Sequence, residues 1–349
     1  MNRVHRIDLP RVVLLGRGVL ESLADVCSEL GLKRPLIVTG RKTYHIAGGR
    51  AKAILEEGKI EPEITFCSEA DLVTVDRVRD KARSMSADAV IGVGGGRTID
   101  VAKLGAFRNG NLFVSVPTTA SHDGIASSSA SIKGLGRPYS MKANSPIAVL
   151  ADCEVIEKSP YRFTASGCGD IISKAVSVHD WRLAHKEKDE YYGEYAGSLA
   201  LMSSQLIMRN AQLIRERQEE GYRTLLEALV SCGVAMSIAG SSRPCSGSEH
   251  LFSHTLDMIA PGSALHGEQC GLGTIMMAKL HGLDWMAIKK TLQTIGAPTT
   301  AKDLGFSRDI IIEALVKAKD IRSDRYTILN KISLTEESAE KLARDCKVL

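Results

Sequence analysis

The sequence predicts an α/β chain in two parts, an N-terminal domain built on a parallel sheet and a C-terminal domain made only of helices. Three observations carry that expectation. Short apolar runs alternate with amphipathic segments through Ile147–Asp152, strand signals stop at Cys153, and a glycine-rich turn follows the most apolar run of the series. Alternation at this spacing implies parallel strands joined by right-handed helical crossovers.

The elements follow in order. Val12–Leu15 is a short apolar strand stopped by Gly16, and a helical pattern runs from about Val19 to Leu30. Leu36–Val38 is the second strand, followed by helix over about 43–57, and Ile64–Phe66 is the third. Leu72 to Met85 places Leu72, Val75, Val78 and Ala82 on one helical face. Ala89–Val93 is apolar throughout, as a strand covered on both faces should be. Leu112–Val116 is the fifth strand, and short apolar pieces and turns over 127–150 lead to the last at Ile147–Asp152. Periodic segments then fall near 162–184, 190–216, 221–239, 246–258, 265–281, 285–294, 308–319 and 335–345. Breaks such as Pro261-Gly262 and Gly296-Ala297-Pro298 separate several of them. The boundary falls near 152–160, giving domains 1–155 and 156–349.

Composition narrows the function classes. The 349 residues are 44% hydrophobic and 25% charged, ordinary for a globular chain, and 45 basic against 41 acidic residues leave a net charge of +4. That excess is small and dispersed, and with 5% aromatics no basic run interleaved with aromatics marks a nucleic-acid surface. No apolar run approaches the roughly 18 residues that cross a bilayer. The N-terminal Met1-Asn2-Arg3-Val4-His5-Arg6 does not read as a signal peptide. Eight scattered cysteines without a CxxC pair read as reduced thiols, so the expected location is cytoplasmic.

Two clusters carry chemistry. Gly92-Val93-Gly94-Gly95-Gly96-Arg97-Thr98-Ile99-Asp100 opens a helix at the end of the fourth strand. Glycines there let backbone N–H groups approach a phosphate, which the helix N-terminus also favours. A ligand-free strand-to-helix turn has the same pattern. After the fifth strand, Pro117-Thr118-Thr119-Ala120-Ser121-His122-Asp123-Gly124 and Ser127 form a hydroxyl-rich loop. It is either a surface turn or a source of donors to a ligand beyond the sheet. In the helical half, His250 and His254 stand one turn apart, and His266 follows the Pro261-Gly262 break. Three imidazoles can hold a divalent metal, or two can hold it while the third handles substrate. Two satisfied histidines on a half-buried helix share the HxxxH spacing. The candidate carboxylate partner is Asp170, in Gly167-Cys168-Gly169-Asp170.

Together, Gly94-Gly95-Gly96 with Asp100, Pro117-Thr118-Thr119, Gly169-Asp170, the HxxxH pair and His266-Gly267-Glu268 resemble the iron- or zinc-dependent alcohol dehydrogenases. That superfamily includes glycerol dehydrogenase and, on the same fold, dehydroquinate synthase. Ser121-His122-Asp123-Gly124, Asp180-Trp181-Arg182-Leu183-Ala184 and Gly247-Ser248-Glu249-His250-Leu251 are similar to its archaeal sn-glycerol-1-phosphate dehydrogenase branch.

The resemblance implies a dehydroquinate synthase-like fold with a Rossmann-like N-terminal domain and an active site in the interdomain cleft. It implies Asp170, His250 and His266 as ligands of one zinc ion, with Asp123, Asp170 and His254 in substrate binding and catalysis. Gly94, Gly95, Gly96, Arg97, Thr98, Asp100, Thr118, Thr119, Ser121, His122 and Ser127 match the NADH or NADPH site. The reaction implied is reversible reduction of dihydroxyacetone phosphate to sn-glycerol 1-phosphate by a homo-oligomeric enzyme, for archaeal phospholipid backbones. Alternatives are glycerol dehydrogenase or another alcohol dehydrogenase of this fold, a dehydroquinate synthase-like lyase, and a non-catalytic nucleotide-binding protein.

After the second strand, Thr39-Gly40-Arg41-Lys42 contains no acid to repel a 2′-phosphate, so NADPH is expected alongside NADH. Lys133, Arg137, Lys142 and Arg243 are candidate contacts for the substrate phosphate.

Overall fold

The computed structural model describes residues 7–132 and 139–349. The chain divides into two compact units, Met1–Tyr161 and Arg162–Leu349, where the sequence suggests a break after residue 155.

The first unit holds six parallel strands: β1 (Val12–Gly16), β2 (Leu36–Thr39), β3 (Glu63–Phe66), β4 (Ala89–Gly94), β5 (Leu112–Pro117) and β8 (Ala148–Asp152). Their order is β1-β8-β5-β4-β2-β3. Every residue of β4 is buried, as its unbroken apolar run requires of a strand covered on both faces. The cores on the two sides of the sheet are distinct: Ile37, Ile91 and Val114 pack with the helix Leu23–Glu29, and Val38, Val90 and Phe113 with the helices Leu72–Ser84 and Gly96–Asn109. Asp71 caps the helix Leu72–Ser84 by accepting from the Thr74 N–H at 2.7 Å.

The connections position the ligand region. From β2 the chain crosses outward to β3, whereas from β4 it crosses the other way to β5. The carboxyl ends of the adjacent strands β2 and β4 therefore flank the point where strand order reverses, the crevice in which open α/β sheets bind ligands. Thr39-Gly40 and Gly94-Gly95-Gly96 meet there: a Cβ on Gly40 would lie 4.0 Å from Thr98 Oγ1.

Two features of this unit were not legible in the sequence. The apolar pieces within 127–150 form an antiparallel pair, β6 (Ser129–Ile132) and β7 (Tyr139–Lys142). The helical run after β2 begins at Arg41 and includes a π-turn, Tyr44–Gly48.

The second unit is helical throughout its length. The expected 162–184 segment is two helices, Tyr161–Ile172 and Lys174–Lys188, interrupted at Ser173. Pro261-Gly262 separates the helices Ser248–Ile259 and His266–Leu280, as a residue that cannot donate and a glycine at φ 80° would. One helix, Glu219–Ala239, contains an 18-residue window apolar enough to cross a membrane by length and composition. With 67% of that window buried inside the protein, it is a core helix by its packing.

Candidate metal centre and nucleotide loops

In the first unit, packing accounts for several of the glycines. A Cβ on Gly94 would stand 2.7 Å from the Thr98 side chain, and one on Gly96 would stand 2.0 Å from His122 Nε2. The His122 ring thus lies against the turn, its Nδ1 accepting from the Gly124 N–H at 2.9 Å, so Nε2 carries the proton of the neutral ring. Thr119 Oγ1 would lie 3.3 Å from a Gly95 Cβ, and Thr118 Oγ1 is buried without a hydrogen-bond partner among the described residues. Such an orphaned hydroxyl at the end of β5 is one a bound nucleotide can satisfy.

Lys103 holds this region in shape. Fully buried, it donates to the carbonyls of Gly124 and Ser129, both at 2.6 Å, and stands 3.5 Å from Asp100 Oδ1. Asp100 Oδ2 in turn accepts from the Ser131 N–H at 3.2 Å. Burial pulls the Lys103 ammonium downward while Asp100 opposes it. Asp100 and Ser127, whose Oγ donates to the Ser129 carbonyl at 3.1 Å, are therefore tied internally beneath the loop. Arg97 and Ser121 lie nearer the surface, and Asp123 begins a short 3-10 turn, Asp123–Ile125. Arg41 stacks over the Phe66 ring at 5.5 Å.

In the second unit, Asp170, His250, His266 and Cys270 each offer a ligand atom, all within 4.8 Å of one another. Glycines make the convergence possible. A Cβ on Gly267 would lie 1.9 Å from the Ser166 carbonyl oxygen, and one on Gly169 would lie 2.3 Å from that of Gly267. The backbones of the helices Tyr161–Ile172 and His266–Leu280 therefore touch where Asp170 and His266 follow and precede those glycines. A Cβ on Gly273 would likewise meet the Glu249 carbonyl at 3.2 Å, keeping the His250 helix close.

The neighbours fix the tautomer of each neutral imidazole. Glu249 Oε1 accepts from the Gly247 N–H and from His250 Nδ1, both at 2.8 Å, so in the neutral ring the unprotonated nitrogen is Nε2, 3.6 Å from Asp170 Oδ1. Gln269 Nε2 donates to Asp257 at 3.0 Å, so Gln269 Oε1 is the atom that accepts the Ser253 hydroxyl, at 2.6 Å. Ser253 Oγ then accepts from His266 Nδ1, at 3.1 Å, which makes Nε2, 3.5 Å from Cys270 Sγ, the unprotonated nitrogen of the neutral ring. Orientation of two imidazoles through their outer nitrogens is characteristic of metal-ligating histidines. One carboxylate, two imidazole nitrogens and a nearby thiol suit a divalent transition metal such as zinc. The residues fit the ion.

Charges around the cluster are arranged to keep Asp170 ionised. Burial alone would raise its pKa, but Lys174, whose buried Nζ donates to Asp170 Oδ1 at 2.7 Å, outweighs burial together with the two imidazoles. The carboxyl is held well below the usual carboxylate range. Burial and nearby Asp180 push Glu249 up to about 8. His254, its ring centroid 6.0 Å from that of His266, is lowered to about 3 by burial and by the two neighbouring imidazoles. It is a neutral ring at working pH.

Other predicted residues serve the frame. Asp180 accepts from Ser248 N–H, His281 Nε2 and Ile328 N–H at 2.6, 2.9 and 2.7 Å. Glu268 caps its helix through the Leu265 N–H and forms a bidentate pair with Arg162. Arg243 is buried, paired with Glu190 and donating to the Tyr326 carbonyl at 2.9 Å, which commits it to internal contacts rather than a substrate phosphate. Lys142 is exposed, and Lys133 and Arg137 lie outside the described residues. The sequence reading gave no role to Lys174, Glu249 or Cys270. Spacing of one helical turn, Asp170 to Lys174 and His266 to Cys270, was the available signal.

Comparisons with known proteins identify the fold and the family. A profile of the iron-containing alcohol dehydrogenases matches residues 14–160. A probable glycerol dehydrogenase from Sinorhizobium meliloti superposes with a TM-score of 0.80 at 22% identity, over 98% of each chain. A sulfoacetaldehyde reductase from Bifidobacterium kashiwanohense, solved with NAD+, gives 0.77 at 19% identity over 99% of each. The fold is that of the iron-containing alcohol dehydrogenase class. Within it, a glycerol-1-phosphate dehydrogenase (NAD(P)+) of Methanosarcina mazei is 52% identical over 100% of this chain and 98% of its own. Its counterpart in Pyrococcus horikoshii is 52% identical over 98% of this chain and 99% of its own. The chain belongs to this glycerol-1-phosphate dehydrogenase family.

Proposed function

We propose that this chain reduces dihydroxyacetone phosphate to sn-glycerol 1-phosphate with NADH or NADPH, reversibly, and so supplies the glycerophosphate backbone of archaeal phospholipids. The observation that carries the reading is the convergence of Asp170, His250 and His266 in a chain 52% identical, end to end, to glycerol-1-phosphate dehydrogenases.

When bound, the metal ion polarises the substrate carbonyl as a Lewis acid and the reduced nicotinamide supplies the hydride. The protein's part is to hold and orient. Asp170, His250 and His266 would hold the ion, and Glu249 and Ser253 would keep the two imidazoles in the required tautomer. His254 is neutral and carries one N–H, so it can donate a hydrogen bond to the substrate oxygen and can relay a proton from water, gaining one on its second ring nitrogen as the N–H proton completes the alcohol. Asp123 is assigned a substrate contact. Gly94–Asp100, Thr118, Thr119, Ser121, His122 and Ser127 are assigned to the nicotinamide cofactor, with Lys103 maintaining the loop beneath them. The absence of an acid in Thr39-Gly40-Arg41-Lys42 supports acceptance of NADPH. A cytoplasmic homo-oligomer acting on a small molecule completes the proposal.

The test is oxidation of NADH and NADPH by dihydroxyacetone phosphate, before and after chelation and after zinc is restored, with the product resolved on a chiral phase. Turnover that vanishes on chelation and returns with zinc, yielding the sn-1 isomer, is expected. Turnover with unphosphorylated glycerol alone would favour a glycerol dehydrogenase. Absence of any nicotinamide absorbance change would overturn the dehydrogenase reading.

A further inference from the structure

The structure assigns recognition of the substrate's phosphate to the buried guanidinium of Arg325, with Arg322 at its rim, next to His254. This inference rests on the proposed reduction of dihydroxyacetone phosphate and names the residues that read its charged end.

Three arginines gather in this part of the second unit, and two of them are matched by carboxylates. Arg243 is paired with Glu190, and Arg322 Nη2 donates to Asp324 Oδ2 at 2.8 Å. Arg325 is 5% exposed, the most deeply set ammonium or guanidinium near His254, and it makes no ion pair among the described residues. Its contacts are uncharged: Nη1 donates to the Ser246 carbonyl and Nη2 to Ser242 Oγ at 2.9 Å. A guanidinium carries five N–H donors, and the remaining ones have no hydrogen-bond partner among the described residues. Glu190 and Asp324 act on Arg325 only at a distance, because their oxygens are committed to Arg243 and Arg322. Burial, Arg322 and Arg243 together pull Arg325 down to about 9, which leaves it cationic at neutral pH. A buried charge is normally paired, so this one is suited to an anion that arrives with a ligand.

Its position matches the proposed substrate. Ser246 stands at the approach to the helix Ser248–Ile259, which carries His250 and His254. The charges of Arg325 and Arg322 both act on His254, as do the rings of His266 and His250. His254 therefore neighbours the metal ligands and the guanidinium groups alike. In dihydroxyacetone phosphate only a methylene and the ester oxygen separate the carbonyl carbon from phosphorus. A substrate with its carbonyl end at the metal and His254 directs its phosphate to these cations. The planar fork of Arg325 suits two phosphate oxygens, and its anchorage by Ser242 and Ser246 sets its orientation before the ligand binds. Unphosphorylated glycerol leaves that buried charge unmatched, which is the basis of discrimination against it.

Steady-state kinetics with inorganic phosphate as the probe test this. In zinc-loaded wild-type protein, phosphate should inhibit competitively with dihydroxyacetone phosphate. Arg325→Met should raise KM for dihydroxyacetone phosphate about 100-fold or more and weaken phosphate inhibition by a similar factor. Bound zinc, KM for NADPH and kcat at saturation should change little. Inhibition competitive with NADPH alone, or inhibition undiminished in folded, zinc-loaded Arg325→Met, would overturn the assignment. So would a fall in kcat and zinc content with KM unchanged, the result of a purely structural role. If Arg325→Met does not fold, two milder variants decide. Arg325→Lys keeps the buried charge without the fork, and Arg322→Gln alters a partly exposed position. Each should raise KM for dihydroxyacetone phosphate about tenfold with kcat little changed, and an unchanged KM in either would overturn the assignment. Wild-type protein that binds zinc and NADPH yet does not reduce dihydroxyacetone phosphate would overturn the substrate reading itself, a failure distinct from that of Arg325.

Discussion

Replacing Lys174 by methionine separates what the buried ammonium does from what a metal does. The side chain is fully buried, with Nζ donating to Asp170 Oδ1 at 2.7 Å and to the Cys245 carbonyl at 3.2 Å. Methionine preserves the volume and removes the charge. At 2.7 Å and an effective dielectric of about 20 the charge–charge attraction is roughly 6 kcal/mol. Part of that is offset because methionine no longer requires desolvation of an ammonium. Breaking one half of a buried pair typically costs about 3–5 kcal/mol, and that is the expected loss in chelator-stripped protein. For a domain of this size it corresponds to a melting point lower by roughly 6–20 °C. With Asp170 as a ligand, as proposed, zinc would face the same carboxylate, so the loss in zinc-loaded protein should be at least halved. By linkage, the difference between the two losses equals a gain in zinc affinity of the variant. Guanidinium unfolding of stripped and loaded samples, with zinc binding measured by competition against a chromophoric chelator, supplies all three quantities. Equal losses in both states, or a loss below about 1 kcal/mol in the stripped protein, would refute the claim that Lys174 stands in for cationic charge at Asp170.

Glu249→Gln keeps the acceptor for His250 Nδ1 but lets the amide flip, so zinc affinity should fall about 10–100-fold with the unfolding midpoint changed far less, as competitive zinc titration will show. Gly267→Ala places a methyl 1.9 Å from the Ser166 carbonyl and must push apart the helices that carry Asp170 and His266. A loss of at least about 3 kcal/mol in unfolding free energy, accompanied by lost zinc binding, is expected. In the first unit, Lys103→Met leaves Asp100 buried without its cation and frees the Gly124 and Ser129 carbonyls, at a cost of about 3–5 kcal/mol measured by chemical denaturation. Arg41→Ala with Lys42→Ala should raise KM for NADPH about tenfold or more while leaving NADH nearly unchanged, for loss of about 1.4 kcal/mol toward a 2′-phosphate; equal changes for both cofactors would remove that role.

Local pattern determined most of the architecture. Apolar runs of strand length separated by helical periods dictated the parallel sheet, because strands buried on both faces have no polar alternation to obscure them, and Pro261-Gly262 broke the helix where backbone chemistry demands it. Spacing placed His250 and His254 on one turn, the residues singled out His266 and Asp170 as candidate partners, and motif resemblance gave Asp170, His250 and His266 the role of ligands. Only tertiary structure brought Asp170, His250, His266 and Cys270 within 4.8 Å, because three separate helices contribute them and no periodicity encodes the distance between helices. The same holds for the contacts that give those residues their chemistry. Lys174 beside Asp170, Glu249 under His250 and Ser253 under His266 are short-range electrostatic and hydrogen-bonding facts, set by helix packing that glycines such as Gly267 allow. In the turn after β4, sequence offered three glycines and a choice between ligand and plain turn. The fold set them at the reversal of strand order and revealed that His122 and Thr98 occupy space a side chain there would need.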